Sequence, residues 1–151
     1  MDKPISNFLR ITFLIHCIIS AVLGTAIWII PGRTLTLLGW VDKVVQLPGT
    51  DISVTGAAFV DPFTTRLLGA ALLALALSSF LGWRAERWSQ VAFTVEQEIL
   101  FSVLGVAAFF YVLARSFRIM PVIGWAVMIL LAAFAVAWGV AWWSEKRAAK
   151  T

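Results

Sequence analysis

Residues 121–143 read PVIGWAVMILLAAFAVAWGVAWW, a run without one charged side chain. At 1.5 Å rise per residue, about 20 apolar residues cross the roughly 30 Å hydrocarbon core of a bilayer. Pro121 suits a helix start, where a missing N–H costs nothing, and Trp142-Trp143 suits the headgroup level at the other end. This stretch therefore predicts a transmembrane helix and sets the solvent for the rest of the chain.

Three further stretches fit the same description: 11–30 (ITFLIHCIISAVLGTAIWII, closed by Pro31-Gly32), 63–83 ending at Trp83, and 90–114. The 151 residues are 61% hydrophobic and 13% charged, with a mean hydropathy of +0.92. A soluble domain is nearer half apolar and a quarter charged. So few residues cannot enclose that apolar surplus, and lipid must solvate part of it. The expected fold is all-α: a single domain, 1–151, forming an integral membrane four-helix bundle of up-down-up-down order. The first run is long enough to span and lacks an A-x-A cleavage pattern, so it reads as a helix and not as a signal peptide.

Helix starts have local chemical reasons. Asp61-Pro62 supplies an N-cap oxygen followed by proline at the first helical position. Ser89 is placed to cap the third helix, with Trp88 and Phe93 as a hydrophobic staple. The long connection, 31–62, joins an amphipathic segment around Trp40 to turn-rich, extended chain, and is a lid or a partner surface. Four spans place both termini on one side. That side carries Lys3, Arg10, Arg84, Arg87, Lys146, Arg147 and Lys150, against Arg33, Lys43, Arg66, Arg115 and Arg118 on the other. The bias favours cytoplasmic termini, with membrane lipid as the first partner and no role in nucleic-acid binding.

One cysteine, Cys17, and one histidine, His16, exclude an intramolecular disulfide, CxxC redox chemistry and a histidine-rich metal site. No nucleophile elbow, HExxH, P-loop or GxGxxG occurs, and the sequence assigns neither catalytic residue nor cofactor. What remains are ionisable groups inside spans, which cost on the order of 2.5–3.5 kcal/mol at a helix centre. Steps of four from His16 give Thr12, Ser20 and Gly24; from Glu98 they give Thr94, Ser102 and nearby Gly105. Such small, weakly polar faces are where membrane helices pack. His16 and Glu98 share a depth and are the candidate proton or ligand pair, with a structural hydrogen-bonding role as the alternative. Arg66 joins them as a candidate, on a face of Ala70, Ala74, Ser78 and Gly82, or else serves as an interfacial anchor. The fourth span offers Ala133, Ala137 and Ala141.

Glu96 lies about 200° around the helix from Glu98, among Ile99, Leu100, Val103 and Ala107. It is expected at the interface or against a partner, as are Trp40, Asp61 and Trp138, the last being either packing or a partner contact. IWIIPG (27–32), LLGW (37–40), DP (61–62) and RLLGAALLALALSSFLGWR (66–84) together resemble small bacterial four-helix membrane proteins of the DoxX-like and domain-of-unknown-function kind. The resemblance implies a four-span fold in a bacterial cytoplasmic membrane and assigns no site residue. Two functions follow as expectations. One is a non-catalytic membrane subunit or scaffold, associating with itself or with a larger membrane complex. The other is a small proton-coupled transporter, or a binder of a lipid, quinone or pigment, working through His16 and Glu98.

Overall fold

The computed structural model describes residues 3–116 and 121–148. Arg118 and Lys150, used in the charge comparison, lie outside the described residues. Five α-helices dominate: α1 (Asn7–Ile29), α2 (Pro31–Leu37), α3 (Pro62–Arg84), α4 (Trp88–Ser116) and α5 (Val122–Ala148). Four of them, all but α2, are long and apolar enough to cross a membrane. Between α2 and α3 lie two three-residue strands, β1 (Val44–Gln46) and β2 (Ser53–Thr55), and a 3-10 turn at Gly56–Phe59.

Local chemistry sets the helix ends. Ser6 caps α1 by accepting from the Leu9 amide at 3.3 Å, so the helix starts four residues before the apolar run at 11. Asp61 caps α3 through both oxygens, from Phe63 N at 3.2 Å and Thr64 N at 3.0 Å. The third span corrects the sequence reading. It begins at Trp88, so Ser89 lies within the helix. The Gln90 side chain reaches back instead, accepting from the amides of Glu86 at 3.0 Å and Arg87 at 3.2 Å. A glutamine at the third helical position satisfies amides that no carbonyl can reach.

The connection from 30 to 61 carries short elements of its own. Pro31 opens α2 with its fixed φ, and α2 closes with Gly39 at φ +74°. There Gly39 N bonds Thr36 O and Trp40 N bonds Leu35 O, a left-handed stop that suits glycine. Strands β1 and β2 pair antiparallel, Val45 opposite Val54, about a turn containing Gly49 at φ +76°. Trp40 folds back onto α4, its ring 6.1 Å from that of Phe109.

Helix α1 packs chiefly on α3, and α4 on α5. The two pairs share one apolar core: Ile5, Leu9 and Phe13 meet Val91 and Val95 of α4 and Phe134, Trp138 and Ala141 of α5. This core lies at the end of the molecule that holds the N-terminal segment and the α3–α4 turn. That segment is tied in by Ile5 N to Glu86 O (3.1 Å) and Trp88 N to Lys3 O (3.0 Å).

Two helix faces differ from the sequence reading. The inner face of α3 is Thr65, Gly69, Ala76, Ser79 and Gly82, whereas Arg66, Ala70 and Ala74 are exposed. The inner face of α5 is Phe134, Trp138, Ala141 and Glu145, with Ala133 exposed. Most of each face is shifted by one residue, about 100°, from the expected ladder, while Gly82 and Ala141 lie on the buried face as expected. Large aromatics fill the gap between the pairs, and the small residues beside them turn outward.

Candidate functional site

Four side chains from three helices converge where the pairs meet. His16 and Ser20 come from α1, Ser79 from α3 and Glu98 from α4, all buried. The His16 Nδ1 lies 2.8 Å from Ser79 Oγ, and Ser79 Oγ is 3.4 Å from Glu98 Oε1. On the other side of the ring, Nε2 is 3.6 Å from Glu98 Oε2 and 3.4 Å from Ser20 Oγ. Phe134 and Trp138 stand edge-on to the imidazole, with ring centroids at 4.8 and 5.8 Å, and keep one flank apolar.

Proton accounting gives this cluster a definite chemistry. Ser79 has one hydrogen to donate. With a proton on His16 Nδ1, Ser79 accepts from the ring and passes its own hydrogen to Glu98 Oε1. Nε2 can then accept the Ser20 hydroxyl hydrogen, but Oε2 has no donor unless one more proton lies between it and the ring. In the other tautomer Ser79 must donate to Nδ1, and Oε1 is left bare. The fully satisfied state is therefore the neutral pair with one added proton, written as imidazole–carboxylic acid or imidazolium–carboxylate. Without that proton the pair carries net charge −1 in an apolar interior, an arrangement that burial penalises. Glu98 Oε2 is among the buried atoms with no hydrogen-bond partner, consistent with the 3.6 Å gap.

The other candidates stand apart from this cluster. Arg66 is exposed and bonds only its own helix, Nη1 to Pro62 O at 3.3 Å; it is a surface residue on α3, not a member of the pair. Glu96 is exposed and accepts from Trp142 Nε1 at 3.1 Å, with the Lys146 ammonium 4.1 Å from the Trp142 ring centroid. Asp61 is exposed and engaged in capping. The Thr64 hydroxyl, then the Thr64 and Phe63 amides, hold its carboxyl below the usual carboxylate range. Trp40 is half-exposed and lies against Phe109. Of the two expectations for Trp138, packing is the one met: it is wholly enclosed, its ring 4.8 Å from Phe13.

Two residues that sequence reasoning passed over matter here. Ser79 joins histidine to glutamate, and its signal was the small face one residue away from the ladder read through Arg66. Glu145, just before Lys146 and Arg147, is 1% exposed. Its Oε1 accepts from Ser6 N at 2.9 Å and its Oε2 is 3.5 Å from Lys3 Nζ. It shares a helix face with Trp138 and Ala141, a spacing visible in the sequence once Trp138 is taken as inward. Among the described residues no three His, Cys, Asp or Glu side chains are grouped to hold a metal ion. Comparison of the chain with protein-family models, curated proteins and solved structures gives no match, so every role rests on this geometry.

Proposed function

We propose that this is a multi-pass membrane protein that binds one proton on the His16–Glu98 pair and couples it to movement of a small solute or lipophilic ligand. In this reading the four long helices form an up-down-up-down bundle in a bacterial cytoplasmic membrane. Both termini face the cytoplasm and residues 31–62 form an ordered outer cap. The observation that carries it is the facing of Nε2 and Oε2 at 3.6 Å, with the remaining polar atoms of both groups, Nδ1 and Oε1, engaged by Ser79. Two titratable groups facing each other can share one proton, which a lone carboxyl cannot. Infrared difference spectra of lipid-reconstituted protein between acid and alkaline pH test it. A carboxylic C=O band that titrates in the parent chain and vanishes in Glu98→Gln supports the reading; spectra identical in both proteins sink it.

The subunit or scaffold reading is kept for one reason. Only 11% of the α4 span and 17% of the α5 span are buried within the chain, against 33% for α1 and for α3. A second copy or a larger membrane protein would cover that pair. Purification in mild detergent that yields only monomer, with nothing co-purifying, removes this alternative.

A further inference from the structure

A cavity of about 550 Å³ opens at the corner where α3 ends and α4 begins. Arg84, Glu86 and Gln90 surround its mouth, and Ser78, Gly82 and Thr94 lie further along the two helices. On α4 the cavity is lined by Gln90, Val91 and Thr94. Beyond it, steps of four from Gln90 and Thr94 reach Glu98 and Ser102, every one polar, in a helix otherwise dominated by Val, Leu, Ala and Phe. Thr94 stands one turn, about 6 Å, before Glu98 on the same face. On α3, Ser78 directly precedes Ser79, which bonds both members of the pair. Thr94 and Ser78, both bearing hydroxyls, line this cavity. The volume holds several waters at about 30 Å³ each, and the polar side chains supply the partners such waters need.

We propose that this cavity is the water-filled entry through which the proton of the His16–Glu98 pair exchanges with solution at the Arg84–Glu86 end. The inference rests on the proton-site reading given above and adds the route. Waters held by Gln90, Thr94 and Ser78 bring a hydronium within one helical turn of Glu98. The hydronium gives up one proton and remains as water, and the pair gains that proton, passing from net charge −1 to 0. Release is the reverse, and no other bond changes. The aromatic wall of Phe134 and Trp138 closes the opposite flank of the histidine, which leaves the α3–α4 side as the polar approach.

The test uses full-length protein carrying Cys17→Ser, reconstituted in lipid vesicles, with Thr94→Cys, Ser78→Cys or Phe93→Cys added singly. A charged, membrane-impermeant methanethiosulfonate is the probe. Phe93 is 78% exposed on the lipid-facing side at the same depth as Thr94 and serves as control. The expected result is labelling at 94 and 78 but not at 93. Hydrogen–deuterium exchange of the Glu98 carboxyl band should then slow tenfold or more after labelling. Failure to label both 94 and 78, or labelling that leaves the exchange rate unchanged, overturns the route. Ser78→Cys decides the matter if Thr94→Cys does not fold. A missing Glu98 band would instead strike the proton-site reading itself, so the two failures are told apart.

Discussion

The two helix pairs are built on different principles. At the α1–α3 seam the backbones touch: a Cβ added to Gly69 would lie 2.8 Å from Trp28 N and 2.9 Å from Gly24 O, and one at Gly24 would lie 3.0 Å from Gly69 O. At the α4–α5 seam a Cβ on Gly105 would meet only the Leu131 side chain, at 3.0 Å, while Gly139 of α5 faces open space, with nothing within 4 Å of an added Cβ. Close backbone approach maximises dispersion where lipid supplies no hydrophobic drive. The first pair is thus a rigid unit. The second stands off by the width of its side chains and keeps most of its surface for lipid or a partner. The polar cluster lies on the boundary between them, where α4 brings Glu98 to His16 and Ser79.

Breaking the tight seam should have the largest effect. Gly69→Val forces two backbones apart and should cost about 3 kcal/mol or more, at the upper end of overpacking penalties. Tryptophan fluorescence during a denaturing-detergent titration measures it, and an unshifted midpoint would refute the backbone contact. Next comes the junction. Glu98→Ala leaves Ser79 and His16 without their partner and should cost about 1–3 kcal/mol in the same titration. Glu98→Gln, which preserves shape and an acceptor, should cost clearly less while abolishing proton binding.

The second buried acid sharpens the comparison from the other end. Glu145→Ala removes the acceptor of the Ser6 amide and should cost about 1–2 kcal/mol. Amide exchange should quicken at the start of α1 while protection around Gly24 and Gly69 is retained. Acceleration spread evenly over both pairs would mean that they are not separate units. Gly139→Ala on the loose pair should be neutral or stabilising by up to about 1 kcal/mol, since helix propensity improves and nothing is displaced.

The smallest effect is expected outside the spans, at Asp61. Its carboxyl titrates lower in the folded chain than in the unfolded one. Its contribution is therefore fully present above the ordinary carboxylate range and is lost as pH falls through the depressed folded value. Asp61→Asn should flatten that acid-side dependence of stability without moving either seam.

Much of the architecture was readable in advance because length and apolarity are one-dimensional properties. The four long helices, the Asp61 cap and the inward faces of His16 and Glu98 follow from composition and spacing. The errors share one cause. On α3, faces one residue apart are both rich in small residues, and on α5 an alanine ladder runs beside Phe134 and Trp138; turning a helix by 100° alters neither its hydrogen bonds nor its propensity. Arg66 was read onto the packed face for this reason, and Glu145 and Ser79 were missed.

Sequence by itself thus determined the four helices long and apolar enough to cross a membrane and the short supply of chemistry: one histidine, one cysteine and no recognised metal or nucleophile motif. Tertiary structure decided which faces meet. The contact of Gly24 with Gly69 fixes the rotation of α3, and that rotation carries Ser79, not Ser78, to the His16 ring. Phe13, Phe134 and Trp138 are large enough that only one setting of α5 seats them, and that setting buries Glu145. Packing volume is shared among helices distant in the chain, so no local reading contains it.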